Sequence, residues 1–485
     1  MSNESVPLNT GADASMDHST LDMKVDMEMT PCVRKEIMRM FDLAWPVFLA
    51  YQLETLPGPI CVALVGHLQG DDVSVLVDAA YLSATVTNVT ALAIGFGLAS
   101  AMDTLCSQAF GAGKMDKLGI YFLSGVIVLG VCLIPLSLMS WYAEPILLLL
   151  GQDPAISMYA GQFSRVTIVG IPFLFVYELI KKLQQSQNIV LPMMYVACVG
   201  VIVNLITGFY FTYYTSWGFL GAAIGRVCGS IALPVCIVGY FRYDHETTST
   251  WWNGFQWREA FSHVWLFLSL GVPSMTMLAV SWWAFCTLGI LAGLLPNKVE
   301  AVSVNAVLGQ LLTLNFMIYL GISVASNVLI GNALGANQPQ RAKLITRLGL
   351  YGGFLSAALM GTIFLLGRHV IPVFFVSDPL TIEQVAAAMF VMVPLGVFDG
   401  LNGICEGIFK GMGLQTIAAV VNILSYYAFG LPMAYFVGFT CGYNLEGVWL
   451  GFSLGTTLCF SVFMAMIHFT DWPALAKLAQ ERVRI

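Results

Sequence analysis

A few carboxylates in this sequence fall within long apolar runs. Glu54, Glu178, Asp399 and Glu406 lie inside such runs, Asp78 and Glu300 at the starts of two, and Asp103 near the end of one. A carboxyl group removed from water takes up a proton more readily than a solvated one, and when ionised it attracts a cation. Such groups are therefore suited to exchanging a proton for a cation. Asp399 follows Pro394 in the stretch VPLGVFDGLNG, and Glu406 lies two turns further on, roughly 10 Å along the same helical face. Lys410 stands at i+4 from Glu406, so a local ion pair is the alternative reading of that acid. Tyr51, Tyr177, Trp282, Trp283 and Phe285 are aromatic residues within apolar runs. Their faces can hold an organic cation for roughly 0.5–2 kcal/mol each, and as packing or interface anchors they need hold nothing.

The elements that carry these residues follow from hydropathy. The chain of 485 residues is 58% hydrophobic and 10% charged, with mean hydropathy +0.79, far too apolar for the surface of a soluble domain of this length. Twelve apolar runs can each cross about 30 Å of hydrocarbon. They lie at about 40–66, 77–106, 117–140, 157–181, 188–213, 217–241, 262–293, 300–330, 346–367, 382–409, 415–439 and 444–468. The expected fold class is an all-α polytopic membrane protein. Residues 1–39 lack a signal-peptide core and read as a disordered tail, with Thr30 and Pro31 suited to the N-cap and first position of a helix.

All Lys and Arg except Lys298, Arg368, Arg165 and Arg226 fall on one side of this twelve-span arrangement, which places both termini in the cytoplasm. Lys181 and Lys182 are counted there as loop residues. The 11 cysteines are scattered without disulfide or metal spacing and read as small core residues. His67 stands alone, and the Asn88-Val89-Thr90 sequon lies inside a run. No metal or cofactor is expected. The net charge of −7 comes with no basic patch or nucleic-acid motif, so no nucleic-acid partner is expected either.

The sequence also repeats itself. GLASAMDTLCSQAFGAGK (97–114) and GISVASNVLIGNALGANQ (321–338) match at one constant offset, pairing Gly97 with Gly321, Leu105 with Leu329, and Gly111 with Gly335. Nearly the same offset relates Pro46 to Pro273, Asp153-Pro154 to Asp378-Pro379, Pro172 to Pro394, and Gly221 and Gly225 to Gly447 and Gly451. With six spans in each half, the two halves cross the membrane in the same direction. Such halves in transporters rock about a central site. The expected organisation is a tail at 1–39, an N-lobe at 40–241, a cytoplasmic connecting loop at 242–261, a C-lobe at 262–468 and a cytoplasmic tail at 469–485.

Over about 38–470 the sequence resembles the multidrug and toxic compound extrusion (MATE) transporters, especially their eukaryotic branch. The resemblance rests on LAWPVFLA, GHL, GFGLASAMDTLCSQAFGAG, GQDP, QNIVLP, WWAF, GISVASNVLIGNALGA and FKGMGLQ, in that order. It implies two six-helix lobes around a V-shaped cavity and cation-coupled export of organic, often cationic, compounds. It also implies a family acid at Asp399 and another at Glu300. In span 7 the sequence departs from the family: eukaryotic members carry acids before and after the paired tryptophans, whereas here Ser281 and Cys286 flank them. Glu54 stands to Pro46 as Ser281 stands to Pro273, so an acid at the symmetry-equivalent place is a physically plausible substitute. Bacterial members also place a functional acid in span 1.

The expected proton and cation sites are Asp399, Glu54, Glu300 and Glu406. The expected substrate contacts are Trp282, Trp283, Tyr177, Tyr51 and Ser281. The expected function is proton-coupled export of organic cations, drugs or secondary metabolites by alternating access, carried out by a monomer in the plasma or vacuolar membrane. The alternatives are an organic-anion (citrate-type) exporter and a flippase of lipid-linked cargo. A receptor or channel has no need of the duplication, and no nucleophile, metal or nucleotide motif suggests an enzyme.

Overall fold

The computed structural model describes residues 32–70, 72–295, 298–376 and 378–484. Twelve helices have the length and apolarity to cross a bilayer. They are α1 (Val33–Gly66), α2 (Val73–Gly111), α3 (Met115–Trp141), α4 (Pro154–Ser186), α5 (Leu191–Tyr213), α6 (Phe219–Tyr243), α7 (Trp257–Gly293), α8 (Lys298–Gly335), α9 (Pro339–Gly367), α10 (Pro379–Met412), α11 (Gln415–Thr440) and α12 (Asn444–His468). A shorter helix, α13 (Trp472–Arg484), follows. All twelve expected spans are present, and the helices overrun the apolar runs at their charged ends. Hydropathy marks where lipid lies, whereas a helix propagates past that boundary because each added residue closes another hydrogen bond.

Three expectations change accordingly. Residues 33–39 of the expected tail are the first turns of α1, and Thr30 and Pro31 lie outside the described residues. The connecting segment holds a helix, His245–Trp251, whose Trp251 is buried. Residues 472–484 form a helix rather than an open tail.

Local chemistry explains several boundaries. Asp153 accepts from the Ala155 and Ile156 N–H groups at 2.8 and 3.3 Å, and Pro154 occupies the first position of α4. Asp378 repeats the device at α10, accepting from the Thr381 N–H at 2.9 Å ahead of Pro379. These are N-caps completed by a proline whose missing N–H would have had no partner. Span 1 is interrupted at Leu56, just before Pro57. Short π-helical stretches occur at Asn88–Leu92 in α2 and at Leu424–Gly430 and Phe436–Thr440 in α11.

We call the side on which α1 begins the terminal face. Four helices end there in left-handed residues: Gly113 after α2 (φ 72°), Asn188 after α4 (63°), Asn337 after α8 (56°) and Gly413 after α10 (75°). Glycine adopts this conformation freely, and asparagine is the L-residue that tolerates it best. Gly113 and Asn337 are repeat partners. Each turn is closed by a bond back into its helix, Lys114 N–H to Ala109 O at 2.9 Å and Gln338 N–H to Ala333 O at 2.8 Å.

The repeated windows also meet each other. A Cβ on Gly111 would collide with the Asn332 carbonyl, and one on Gly335 with the Gln108 carbonyl, so the ends of α2 and α8 cross at backbone contact around a pseudo-twofold. Higher up, Gly97 abuts Met275 of α7, and Gly321 abuts Ala44 and Phe48 of α1. Small residues allow this approach where lipid supplies no hydrophobic drive for helices to associate. The sequence repeats because each half supplies the same surface to the other.

Candidate functional site

Two polar clusters lie among the apolar helices, one in each half. In the second half, α10 presents Asp399, Asn402 and Glu406 at helical spacings of three and four, on one face. Asn402 Nδ2 donates to the Thr456 carbonyl of α12 at 2.9 Å. Glu406 accepts from Asn422 Nδ2 of α11 at 2.7 Å, and Asn422 Oδ1 accepts in turn from Cys459 Sγ at 3.3 Å. The local ion pair expected as the alternative reading of Glu406 does not form: the described ion pairs include none between Glu406 and Lys410, and an amide from another helix takes the carboxylate instead. Asp399 is half-buried and makes no hydrogen bond or ion pair among the described residues. It lies within electrostatic reach of Glu406, Tyr319 and Tyr426. The Tyr319 hydroxyl and Asn315 Oδ1, both buried on α8, have no hydrogen-bond partner among the described residues. They line a small cavity of about 10 Å³ with Gly396 and Val397 of α10, little more than the room for one water molecule.

In the first half each acid of the cluster is ion-paired with a lysine. Glu54 of α1 accepts from the Tyr177 hydroxyl at 2.6 Å and from Lys181 Nζ at 2.7 Å, both on α4. Lys181 is wholly buried and also pairs with Glu178 at 2.7 Å. Its ammonium lies 4.1 Å from the centre of the Tyr51 ring and 5.3 Å from that of Tyr177. Lys182 binds both Asp103 oxygens of α2, at 3.1 and 3.0 Å, and lies 3.6 Å from Glu178.

Glu54, Tyr51 and Tyr177 thus come together, but around a protein ammonium rather than an open cavity. The sequence reading missed Lys181 and Lys182 because it placed them in a loop. Glu178 and Asp103 were visible as acids within runs, and the pattern Glu178, Lys181, Lys182 at i, i+3 and i+4 was the available signal that α4 carries a polar face.

The remaining expected residues lie elsewhere. Ser281 donates to the Met277 carbonyl one turn back at 3.1 Å. Trp282 is half-buried. Trp283 is 43% exposed, and its Nε1 donates across to the Val89 carbonyl in the π-helical stretch of α2 at 3.4 Å. Glu300 lies in the first turn of α8, but its side chain falls outside the described residues.

The polar links between halves gather toward the terminal face. Thr104 donates to the Lys410 carbonyl at 2.6 Å and Gln108 to the Gly411 carbonyl at 3.1 Å. Arg482 of α13 donates to Gln108 Oε1 at 2.8 Å and to the Gly413 carbonyl at 3.4 Å, touching both halves. Arg341 of α9 pairs with the buried Glu36 of α1 at 2.9 Å.

Twelve membrane-spanning helices in two related sets, with ionisable groups buried at membrane depth, are the architecture of a multi-pass membrane transporter. The MatE family description matches residues 46–210 and again 273–436, so the chain belongs to that family. Multidrug and toxin extrusion protein 2 of Mus musculus is 32% identical over 456 residues, covering 94% of this chain and 78% of the relative. Protein DETOXIFICATION 29 of Arabidopsis thaliana is 30% identical over 452 residues, covering 93% and 88%. The crystal structure of the eukaryotic MATE transporter AtDTX14 superposes with TM-score 0.87 at 26% identity, covering 93% of this chain and 99% of that one.

Proposed function

We propose that this protein exports organic cations in exchange for protons, by alternating access of two six-helix lobes, with Asp399 as the coupling acid. Asp399 carries the proposal: it is a carboxylate within a membrane span that no cation or donor among the described residues satisfies, within electrostatic reach of Tyr319, whose buried hydroxyl has no hydrogen-bond partner among those residues. Such a group is free to hold a proton or a passing cation in turn. Glu406, engaged by Asn422, plays a supporting part, and Trp282 and Trp283 offer ring faces on α7. The links at the terminal face seal one end, so substrate enters or leaves at the other. The protein acts as a monomer in the plasma or vacuolar membrane with its termini in the cytoplasm, as the excess of Lys and Arg on that face supports. The extrusion activity in the names of its relatives supports the direction of transport.

The test is flux of labelled organic cations in proteoliposomes under an imposed pH gradient. Wild type should exchange saturably, and Asp399→Asn, which keeps shape and removes charge, should abolish pH-driven exchange while remaining folded. Wild-type flux in Asp399→Asn would remove it as the coupling acid. Flux indifferent to the gradient in wild type would sink proton exchange itself.

A further inference from the structure

The first-half cluster has the anatomy of a ligand site with its ligand attached. Two carboxylates, Glu54 and Glu178, each bring an oxygen to 2.7 Å from the Lys181 ammonium. The face of Tyr51 closes one side at 4.1 Å, and Phe96 lies 5.9 Å away. Tyr177 orients Glu54 through its hydroxyl. Glu178 is 2% exposed, and its Oε2, though ion-paired with Lys181, has no aligned hydrogen-bond donor. Carboxylates at hydrogen-bonding distance combined with a ring face are how proteins recognise an amine.

We propose that Glu54, Glu178, Tyr51 and Tyr177 form a primary-ammonium site that Lys181 fills from its own chain, which closes the first half to external amines and leaves cation selection to the second. This rests on the reading that the protein moves organic cations. The surrounding charges fit the assignment. Lys182 is occupied by Asp103, and Lys410 of α10 lies within electrostatic range of Asp103 and Glu178 from the other half. With Lys181 in place, the three acids Glu54, Glu178 and Asp103 are ion-paired with two ammonium groups, those of Lys181 and Lys182. Without it Glu54 has no paired cation and the buried acids keep Lys182 alone, an excess of negative charge that draws in a cation. The ligand class follows from geometry: oxygens 2.7 Å from nitrogen require N–H donors, which a quaternary ammonium lacks.

The test uses the full-length purified protein carrying Lys181→Ala, with n-propylammonium, which restores the atoms that substitution removes. The variant should melt below wild type. n-Propylammonium should raise its Tm saturably by a few °C, tetramethylammonium at equal ionic strength should not, and wild type should respond to neither. Adding Glu54→Gln should abolish the propylammonium effect. Equal gains from both ions, an equal gain in wild type, or no gain in the variant would overturn the proposal. If Lys181→Ala alone cannot be recovered folded, the double variant Lys181→Ala with Glu54→Gln decides: recovery shows that the ammonium serves to match Glu54, and failure overturns the assignment. Because the readout is binding, an amine that binds the variant while wild type shows no cation flux would sink the transport reading and leave the site standing.

Discussion

Four acids inside spans differ less in kind than in what reaches them. Among the described residues Asp399 has no hydrogen-bond or ion-pair partner, Glu406 has one amide, Glu54 has a phenol and an ammonium, and Glu178 lies beside two ammonium groups. Glu406→Gln keeps an acceptor for Asn422, so flux should persist with a small loss of thermal stability, in contrast to Asp399→Asn. Equal loss of coupling in the two variants would make the pair, not Asp399, the functional unit. Glu54→Gln leaves the buried Lys181 with Glu178 alone, and half-breaking a buried pair costs on the order of 3–5 kcal/mol. A sharp fall in Tm is therefore expected. Ser281→Glu should not repair it, although the repeat makes the two positions equivalent, because Lys181 remains beside the missing charge on α4. Recovery by Ser281→Glu would refute that account.

At the level of elements, the repeat is expressed as paired caps and paired crossings. Removing the Asp153 cap should cost about 1 kcal/mol, seen as a lower Tm for Asp153→Ala. At Asp378 the Thr381 hydroxyl and N–H hold the carboxyl below the ordinary aspartate value. A depressed folded-state pKa means the stabilisation is present above about pH 4 and is lost as pH falls through the lower, folded-state value. The Tm difference between wild type and Asp378→Ala should therefore narrow under strong acid, and a difference independent of pH would argue that the carboxylate form is not what caps α10. Gly111→Val and Gly335→Val should each wedge α2 and α8 apart at the terminal face and impair transport more than stability. A stable, fully active Gly111→Val would mean that this backbone crossing does not have to close.

Across the molecule, the two halves are tied at the terminal face by Glu36 with Arg341, by the Thr104 and Gln108 bonds, and by Arg482 touching both halves, and closure there is what the proposed transport cycle would have to release. Arg341→Gln combined with Arg482→Gln should weaken that closure. A cysteine introduced at the buried Ser107 should then react faster with an impermeant thiol reagent added on the terminal side, and an unchanged rate would show that closure lies elsewhere. Sidedness can be read the same way. Single cysteines at the exposed positions Ser249 and Gln152, without other accessible cysteines, should label from opposite sides of sealed cells, Ser249 from the cytoplasm. Labelling of both from outside would refute the topology.

The twelve spans and the duplicated surface were legible in the amino-acid sequence, because the first is set by the apolar length needed to cross a membrane and the second by matching residues at one offset; Asp153-Pro154 and Asp378-Pro379 were legible as repeat partners, and the structure shows them to be caps. Asp399 was legible as a candidate as well, since an acid in an apolar span is costly wherever it sits. Its lack of a partner was not, and neither were the partners of the other acids. Lys181 was counted as a loop residue, Glu406 was expected as a cation site with a pair to the lysine one turn away as the alternative, and Glu54 was expected as a cation site. Packing supplied the partners: Lys181 is buried against Glu54 from 127 positions earlier in the chain, and Asn422 rather than Lys410 reaches Glu406, from the next helix. A buried charge is settled by whichever group the neighbouring helices bring within 3 Å, and sequence spacing does not encode which helices are neighbours.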